Sequence, residues 1–423
     1  MVQSMASGGT LHVRFTWIFK FRNKHVLFWL TLILFSTLSF PLFSQFAGGS
    51  GTEQDPWKIA TAKHLNNVRN YLDEEHSDKH FIQIADIDLD VAPYNTGEGW
   101  EPIGSDTSIS TRFYGTYDGD EHVVTGLYIN RPESDYQGLF GYAQGTIKNL
   151  GVKNINITSH WYIGGLVGVN IYGSIYNCYS TGSVTGGEGS GGLVGMNYSG
   201  SITNCYGTGS VTGDDYVGCL VGGNTGSITN CYGTGSVTGI DYVGGLVGGN
   251  VGSIISCYGN GSVTGDDYVG GLVGDNDDGS IISCYSTGSV TGNEGVGGLV
   301  GVNTGSIKNS YSTGSVTGDE FVGGLVGWND EGSIINCYST GSVTGDDYVG
   351  GLVGDNDDGS INSCYWDINR SGQEHSDDGE GRNTEEMVYP HSEDTYLDWD
   401  WQIWTPDLTH EINDGYPYLR RPD

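Results

Sequence analysis

The sequence is poor in basic residues: 17 of its 423 residues are lysine or arginine, against 51 that are aspartate or glutamate. The formal net charge is therefore −34 at neutral pH. Nucleic acids and anionic membrane surfaces would repel such a chain, which argues against both as partners. Aromatic residues still make up 12% and hydrophobic residues 36% of the sequence, too much for a disordered acidic tail.

Long apolar runs are also scarce, because only residues 26–43 form one. A basic stretch precedes this run and Ser44 follows it, a pattern typical of a secretory signal peptide, here residues 1–44. Two alternatives remain open. The run is near the lower length limit for spanning a bilayer, which allows an uncleaved anchor, and the long basic region allows a start codon assigned too far upstream. Cleavage would leave a secreted or cell-surface chain without membrane insertion.

Motifs of zinc sites and zinc peptidases are missing. No Cys-x-x-Cys pair is present. His410-Glu411 lacks a second histidine at the His-Glu-x-x-His spacing, and Ser77 follows His76 where a peptidase would carry its glutamate. We therefore expect no peptidase of this kind.

Glycine is abundant, with 72 residues, and much of it belongs to one repeat. The segment Gly-Gly-Leu-Val-Gly recurs every 26 or 27 residues in eight copies, one of which has Cys219 in place of the second glycine. A looser copy, Gly138–Gly141, stands 27 residues ahead of the first. The leucines of the eight copies are Leu166, Leu193, Leu220, Leu246, Leu272, Leu299, Leu325 and Leu352. A fixed period of this size predicts a stacked array whose units bury their faces against one another.

The variation of the period locates a turn. The distance from the Cys or Ser of each Asn/Ser-Cys-Tyr motif to the next repeat leucine is always 15 residues. The distance from a repeat leucine to the following Cys or Ser is 11 or 12 residues. An extra residue in a strand would flip every later side chain, so the variable Asn-x-Gly-Ser segment is a turn. Three short β candidates remain in each unit: Tyr-Val-Gly-Gly-Leu-Val-Gly, Ser-Ile-x-Asn-Cys-Tyr and Gly-Ser-Val-Thr-Gly. The sequence predicts an all-β parallel solenoid of nine or more coils over residues 136–365, with coils ~4.8 Å apart.

An open stack of coils exposes strand edges, so both ends need caps. Residues 45–135 form the expected N-terminal cap, with an amphipathic helix within residues 57–76 that Thr61 caps, followed by irregular first coils. Residues 366–423 form the expected C-terminal cap. Their tryptophans and tyrosines predict an aromatic plug over the last coil.

The units resemble the GLUG motif, whose Gly-Leu-x-Gly stands here as Gly165-Leu166-Val167-Gly168 and its successors. Residues 49–53, 85–89, 115–119 and 413–419 are similar to the flanks of such proteins, so the resemblance covers roughly residues 48–420. It implies an exported bacterial protein, often at the cell surface or adhesin-like, with a right-handed β-helix. Some IgA-cleaving metallopeptidases and filamentous adhesins carry these repeats outside any catalytic part, so the resemblance implies no activity.

Seven cysteines occupy one position of the repeat, and Ser310 stands there in the eighth copy. They are Cys178, Cys205, Cys231, Cys257, Cys284, Cys337 and Cys364. Coil spacing permits disulfides between coils in an oxidising compartment. We favour free thiols packed as small apolar groups, because side chains in a parallel column point the same way.

Acidic residues dominate the repeat region: between positions 161 and 365 there are 19, against one basic residue, Lys308. The preferred interpretation is a solvated face that keeps the protein soluble and monomeric. The alternative is weak calcium binding that relieves repulsion between stacked carboxylates. The candidate ligands are Asp275, Asp277, Asp278, Asp355, Asp357 and Asp358.

Aromatic residues form two columns. The Cys-side column comprises Tyr179, Tyr206, Tyr232, Tyr258, Tyr285, Tyr311, Tyr338 and Tyr365. The Leu-side column comprises Tyr162, Tyr216, Tyr242, Tyr268, Phe321 and Tyr348, with Gly189 and Gly295 interrupting it. Ring stacking alone would explain both columns. The Leu-side column also adjoins acidic turns, so it is the candidate surface for carbohydrate or glycoprotein.

Two classes of function compete at this point. One is an exported, non-catalytic binding module in which many equivalent weak sites on one face add up. The other is a structural spacer or matrix component without a specific ligand. A polysaccharide-active enzyme is a minor alternative, since carboxylates on neighbouring coils could sit ~5 Å apart, but their surroundings would be nearly equivalent. No cofactor is expected apart from calcium.

Overall fold

In the computed structural model of the protein, residues 45–105 and 108–420 are described. The predicted signal peptide, residues 1–44, lies outside them. All of them except Gln45 belong to one compact unit, Phe46–Asp423. No helix in the described part of the chain is long and apolar enough to cross a membrane.

The described residues form a parallel β-solenoid with four sheets around one continuous hydrophobic core. The Ser-Ile sheet has strands Trp57–Ile59, His80–Gln83, Thr116–Asp118, Thr146–Lys148, Ser174–Tyr176, Ser201–Thr203, Ser227–Thr229, Ser253–Ile255, Ser280–Ile282, Ser306–Lys308, Ser333–Ile335 and Ser360–Asn362. The Val-Gly sheet has strands Phe140–Ala143, Val167–Ile171, Val194–Tyr198, Val221–Asn224, Val247–Asn250, Val273–Asn276, Val300–Asn303, Val326–Asp330 and Val353–Asp357.

The other two sheets complete each coil. The Tyr-Val sheet has strands Ile163–Gly164, Ser190–Gly191, Asp215–Gly218, Asp241–Gly244, Asp267–Gly270, Glu294–Gly297, Glu320–Gly323 and Asp347–Gly350. The Val-Thr sheet has strands Ile87–Asp88, Val123–Thr125, Tyr128–Arg131, Gly151–Ser159, Tyr179–Thr185, Tyr206–Gly207, Ser210–Thr212, Tyr232–Gly233, Val237–Thr238, Tyr258–Gly259, Val263–Thr264, Tyr285–Ser286, Val290–Thr291, Tyr311–Ser312, Val316–Thr317, Tyr338–Ser339, Val343–Thr344, Tyr365–Asp367 and Glu380–Arg382. The prediction of an all-β parallel solenoid is confirmed.

One predicted strand is bent in the structure. The segment Tyr-Val-Gly-Gly-Leu-Val-Gly contributes to two sheets, with a corner at its Gly-Leu pair. At this corner the carbonyl of Leu272 accepts from the N–H groups of both Leu246 (2.9 Å) and Val247 (3.0 Å) one coil earlier. Because one acceptor serves two donors, the chain turns here without leaving either N–H unpaired.

The variable turn is where the spacing predicts it. In the five longer copies the residue before the glycine of this turn has a left-handed backbone, with φ between 52° and 58°. These residues are Tyr172, Ser199, Asp278, Glu331 and Asp358. The added residue is thus absorbed in the turn, and the strands on either side keep their register.

A column of buried asparagine amides runs inside the coils. In each coil the Nδ2 group donates to Oδ1 of the next asparagine at 2.6–2.8 Å. The column comprises Asn170, Asn197, Asn224, Asn250, Asn276, Asn303, Asn329 and Asn356. It satisfies polar groups that would be costly to bury unpaired.

The eight cysteines are buried free thiols, including Cys219. Seven of them form the predicted column, but they do more than fill space. The N–H of Cys205 donates to Sγ of Cys231 in the next coil at 3.3 Å. Ser310 takes the same role, accepting from the N–H of Cys284 at 3.1 Å, which explains why serine replaces cysteine here.

The N-terminal cap contains a shorter helix than predicted. An α-helix spans Ala62–Asn67 and continues as the 3-10 helix Val68–Asn70, while Trp57–Ile59 is a strand. Thr61 caps the helix as predicted, accepting from the N–H of His64 at 3.2 Å. Trp57–Ile59 pairs with His80–Gln83, so it starts the Ser-Ile sheet ahead of the helix. Further 3-10 turns are Glu74–His76 and Ile109–Thr111.

The C-terminal cap has short helices Ile368–Ser371 and Thr384–Met387 and an antiparallel pair, Trp404–Thr405 with Tyr418–Leu419. Its aromatic cluster packs beside the last tyrosines of the Cys-side column, and not over the end of the stack as expected from the sequence. The cluster comprises Tyr311, Tyr338, Tyr365, Met387, Tyr396, Trp399, Trp404 and Tyr416. The backbone of the last coil is instead bonded by residues 375–377, as in Gly351 N to His375 O at 2.9 Å.

Candidate functional site

The Leu-side column is a stack of partly exposed rings on the strands of the Tyr-Val sheet. Tyr216, Tyr242 and Tyr268 stack with centroid distances of 4.7 and 5.2 Å and interplanar angles of 9° and 12°. Phe321 and Tyr348 stack at 4.9 Å and 29°. Tyr348 is 58% exposed, and the other members of the column are half-buried. Solvent and ligands can therefore reach this column.

The backbone under these rings is unusual. All six aromatic members have φ between 51° and 57°, the left-handed region. Gly189 and Gly295, which interrupt the column, have φ of 72° and 64°. A left-handed backbone costs a non-glycine residue roughly 1–3 kcal/mol, whereas glycine adopts it freely. The aromatic rings are thus held where glycine would fold with less strain.

Carboxylates form a parallel column directly beside the rings. Strand register places six acids opposite one another on successive coils: Asp215, Asp241, Asp267, Glu294, Glu320 and Asp347. Glu188 precedes them, next to Gly189, whose N–H donates to the carbonyl of Asp215 at 2.9 Å. We call these seven residues the acid column.

Neighbouring carboxylates of the acid column repel one another. Partial burial and the neighbouring carboxylates Asp215 and Asp267 raise the pKa of Asp241. The pKa of Glu294 is raised in the same way, by burial and then by Asp267 and Glu320. Both shifts mean that the folded protein disfavours full ionisation of this column. A cation or a hydrogen-bond donor that binds here relieves that cost.

A groove of about 200 Å³ opens beside Gly189. Tyr162 and Tyr216 line it, and Met196, Gly223 and Gly249 form its floor. A Cβ atom at Gly249 would lie 2.6 Å from Cδ1 of Tyr216, so the absence of a side chain lets that ring lie on the backbone. Asp275 and Asp277 are also among the lining residues.

Asp275 is the most perturbed carboxyl of the groove. Burial, with a smaller contribution from Asp277, raises its pKa to about 6. Burial also raises the pKa of Tyr216 to about 12, helped by Tyr242, Asp275 and Glu188. A carboxyl with a raised pKa in a concave site is a feature of functional sites, although ion clusters with a structural role share it.

The candidate calcium ligands fall into two separated sets. Asp275 is followed in register by Val302, Trp328 and then Asp355, which places the two sets three coils apart. Asp277 and Asp278 are exposed turn residues. Among the described residues, no group of three or more His, Cys, Asp or Glu side chains is placed to hold a metal ion. Calcium binding gains no support from this geometry.

The Cys-side column has a different environment. Its rings from Tyr179 to Tyr338 stack at 4.7–5.0 Å within 4–6° of parallel. Its C-terminal members Tyr311, Tyr338 and Tyr365 are buried under the C-terminal cap. The hydroxyl of Tyr338 donates to the carbonyl of Pro417 at 2.7 Å. Packing accounts for this column.

Sequence reasoning missed two aromatic members of the site. Tyr136 stacks on Tyr162 at 5.6 Å and 2°, which extends the Leu-side column by one coil. Tyr136 lies three residues before Leu139, whereas the other members of the column lie four residues before their leucine. A search at the fixed spacing of four therefore does not find it. The ring centroids of Trp328 and Phe321 are 5.8 Å apart, so Trp328 widens the aromatic surface. The groove was also missed, because its residues come from both the Tyr-Val sheet and the Val-Gly sheet, and the sequence does not show that these strands lie side by side.

Comparison with known proteins agrees with the repeat geometry. The family model described as the GLUG motif matches residues 159–185, 265–291, 292–317 and 322–344. This chain contains GLUG repeats. The four matched segments all lie within the solenoid, where successive copies of the motif form successive coils.

Two relatives match about a third of this chain each. A protein of Evansella cellulosilytica named "Putative Gly-rich membrane protein" is 43% identical over 139 residues, which is 32% of this chain and 15% of that protein. Halomucin of Haloquadratum walsbyi is 32% identical over 143 residues, which is 33% of this chain and 2% of halomucin. The chain thus matches only a small part of each relative's length.

A solved structure is also similar. It is a crystal structure from Bacteroides ovatus described as a "putative immunoglobulin A1 protease", with 22% sequence identity and a TM-score of 0.47. The similarity covers 90% of this chain and 96% of the other. A similarity at this level carries no inference about activity.

Proposed function

We propose that this GLUG-repeat protein is an exported or surface-located binding protein, without a catalytic role, that recognises carbohydrate or glycoprotein. The binding surface is the Leu-side column with the acid column beside it. The names of the two relatives, one a membrane protein and one halomucin, support a location at the cell surface. Many equivalent weak contacts along a polymer would combine into useful affinity.

The left-handed backbone of the Leu-side column is the observation that carries this proposal. Stacking of adjacent rings stabilises by ~0.5–1.5 kcal/mol per pair, while each left-handed aromatic residue costs roughly 1–3 kcal/mol. The two terms nearly cancel, so folding gains little from the rings. Gly189 and Gly295 fill the same position with φ of 72° and 64°. A role in binding explains why rings are kept at the other positions.

A glycan array tests the proposal with the wild-type protein and the double variant Tyr242→Gly plus Tyr268→Gly. We expect glycan signals that the double variant loses. The matched control is Tyr206→Ala plus Tyr232→Ala, which removes two half-buried rings from the Cys-side column and should keep the signals. Signals that survive loss of the Leu-side rings would contradict the proposed surface.

A structural spacer is the second candidate, and the acid column favours it. Seven carboxylates on successive coils keep the surface hydrated and discourage association, whatever the ligand. A wild-type protein without any signal on the array, together with unchanged solubility of the ring-deleted variant, would favour the spacer.

A polysaccharide-cleaving enzyme is the weakest candidate, and one observation speaks for it. Asp275, with a pKa of about 6, could act as a general acid in the groove. A lyase would also need a nearby base, and Lys308 is the one basic residue between positions 161 and 365. We expect no release of reducing ends from polysaccharides, whether or not Asp275 is replaced by asparagine. Release by the wild type that Asp275→Asn abolishes would establish an enzyme.

A further inference from the structure

The two interruptions of the Leu-side column differ in what lies beneath them. One position of the Val-Gly sheet adjoins the rings, and along the coils it is occupied by Val169, Met196, Gly223, Gly249, Asp275, Val302, Trp328 and Asp355. Near Gly189 this position is glycine in two successive coils, as Gly223 and Gly249. Near Gly295 it is filled by Val302 and Trp328. The groove therefore opens at the first interruption.

Aromatic faces form the walls of the groove. Tyr162 leans toward Gly189, where a Cβ atom would lie 2.6 Å from its Cδ1. Its hydroxyl donates to Glu188 at 3.2 Å, which fixes the ring. On the other side, Tyr216 lies on the backbone of Gly249. Both rings are half-buried, so one part of each remains open to a ligand.

The charge of the groove has a single sign. Asp275 follows Gly249 in register, and Asp277 and Glu188 also line the groove. Lys308, the one basic residue between positions 161 and 365, is exposed at the end of Ser306–Lys308 in the Ser-Ile sheet and is not among the lining residues. Partly desolvated carboxylates without a counter-ion are relieved best by a bound cation.

We infer that the groove beside Gly189 is a subsite for a sugar residue with a free amino group. The sugar ring packs against the faces of Tyr162 and Tyr216, and the protonated amine donates to Asp275 and Asp277. This inference rests on the proposed carbohydrate function and specifies its ligand class. It concerns one position on the Leu-side surface, whereas the rest of the column binds less selectively.

The size and chemistry of the groove favour this ligand. Its volume of about 200 Å³ is below the roughly 300–1,000 Å³ typical of drug-sized ligands, so it suits one ring of a longer chain. Aromatic faces attract both the C–H face of a sugar and an ammonium group. An acidic or N-acetylated sugar supplies no cation to Asp275, so we expect it to bind with lower affinity than an amino sugar.

Binding is expected to have a pH optimum, because both members of the ion pair titrate. The pKa of Asp275 is about 6, with Asp277, Glu188, Tyr216 and Tyr242 facing the same region. Below that pH the carboxyl is protonated and cannot pair with an ammonium group. Affinity for an amino sugar should therefore rise as the pH passes the pKa of Asp275, and should fall again at the higher pH where the sugar amine loses its proton.

Calorimetric titration of the full-length protein with three trisaccharides tests the inference: the trimers of glucosamine, N-acetylglucosamine and glucose. Of the three trimers, we expect the glucosamine trimer to bind most tightly at a pH just above the pKa of Asp275. Asp275→Asn should weaken it about tenfold, the range of a charged hydrogen bond, and bring it level with the glucose trimer. Asp355→Asn is the matched control, since it changes the same register position three coils away, and should leave binding unchanged.

A second pair of variants tests whether the interruption of the Leu-side column at Gly189 is needed for the groove. Gly189→Tyr completes the column and should close the groove, with loss of the preference for glucosamine. Gly295→Tyr makes the same change over Val302 and Trp328 and should keep the preference. Five of the six aromatic residues with this backbone are tyrosines, so both variants are expected to fold. The new Cβ atoms would lie 2.6 Å from Cδ1 of Tyr162 and 2.8 Å from Cδ1 of Tyr268, so in each variant that neighbouring ring must move aside.

The outcomes separate this inference from the proposed function. Glycan signals that require Tyr242 and Tyr268, combined with equal binding of the three trimers, would overturn the amino-sugar subsite alone. Binding of none of the trimers, together with a blank array, would overturn both. A trilysine peptide that binds as tightly as the glucosamine trimer, and equally depends on Asp275, would show a general cation site and overturn the sugar assignment.

Discussion

The two aromatic columns have the same chemistry and the same repeat, yet they differ in backbone and surroundings. The Cys-side rings are stacked within 4–6° of parallel, and none of them has a left-handed backbone. Among the Leu-side rings, Tyr136 and Tyr162 stack within 2°, but the later pairs deviate by 9–29°, and all members have φ above 50°. One column is partly covered by the C-terminal cap, and the other adjoins seven carboxylates.

This difference indicates that a regular column is not in itself evidence of function. The Cys-side column lies on relaxed strands, and its rings gain both stacking and cover. The Leu-side column gains stacking but carries backbone strain and the repulsion of the acid column. We therefore place the proposed binding surface on the Leu-side column, where the rings occupy a left-handed backbone position that glycine fills in two other coils.

The largest expected effect is on the covered end of the Cys-side column. Tyr338 is fully buried, stacks on Tyr311 at 5.0 Å and accepts from Nδ2 of Asn413 at 2.6 Å. Tyr338→Ala should lower the free energy of unfolding of the C-terminal region by about 3–5 kcal/mol, since it leaves a cavity and unpaired polar groups. Limited proteolysis of residues 384–420 and urea titration would measure this.

Tyr348→Ala is the matched control on the Leu-side column, because Tyr348 is 58% exposed. It should cost less than about 1 kcal/mol. Similar losses in the two variants would contradict the distinction between a packed column and a binding surface.

The next effect concerns the carboxyl of the groove, which has no counterpart in the Cys-side column. The pKa of Asp275 is about 6 in the folded protein, above the ordinary value of 3.8. Its ionisation therefore destabilises the fold, fully above pH 6 and not at all below about pH 4. Asp275→Asn should raise stability at pH 7 by about 1–2 kcal/mol, allowing for partial exposure, and should flatten the pH dependence.

Thermal unfolding at pH 5 and pH 7 checks this prediction. The wild type should melt higher at pH 5 than at pH 7, and the difference should shrink in the variant. A residual difference is expected, because burial and neighbouring acids also raise the pKa values of Asp241 and Glu294. A variant less stable than the wild type at pH 7 would overturn the assigned direction.

The sequence predicts the solenoid because its period fixes the register. Insertion at the Asn-x-Gly-Ser turn identified that turn, and identical residues at equal spacing identified the columns of Tyr, Cys and acid. The corner at Gly-Leu was not predictable, since Val-Gly-Gly-Leu-Val reads as one apolar strand. Without that corner, Gly249 could not be placed under Tyr216.

Other features depend on tertiary contacts or on rare backbone conformations. A left-handed backbone at Tyr242 is not expected for an aromatic residue, although glycine at positions 189 and 295 was a hint. The position of the aromatic cluster beside Tyr338 depends on how residues 384–420 fold back. The cysteines were predicted as space-filling thiols, and their hydrogen bonds to neighbouring coils appear only when the coils are stacked.

A smaller effect should separate strain from stacking at Tyr242. Tyr242→Ala loses the two ring contacts and keeps a non-glycine residue at φ of 57°. Tyr242→Gly loses the same contacts but removes the strain, so it should be more stable than the alanine variant by about 1 kcal/mol. Urea midpoints of the two variants measure the difference. The reverse order would show that the left-handed backbone is not strained.

The smallest effect is expected from completing the Leu-side column at its second interruption. Gly295→Tyr adds ring contacts with Tyr268 and Phe321, worth ~0.5–1.5 kcal/mol each, and introduces a left-handed aromatic residue that costs roughly 1–3 kcal/mol. Tyr268, whose Cδ1 lies 2.8 Å from the position of the new Cβ, has to move aside to make its contact. The two terms should cancel to within about 0.5 kcal/mol, so the urea midpoint should barely move. The equivalent change in the Cys-side column has no such cancellation, because its backbone is relaxed. A stabilisation above about 1 kcal/mol would mean that the Leu-side rings serve folding after all, and the argument from strain to binding would lose its basis.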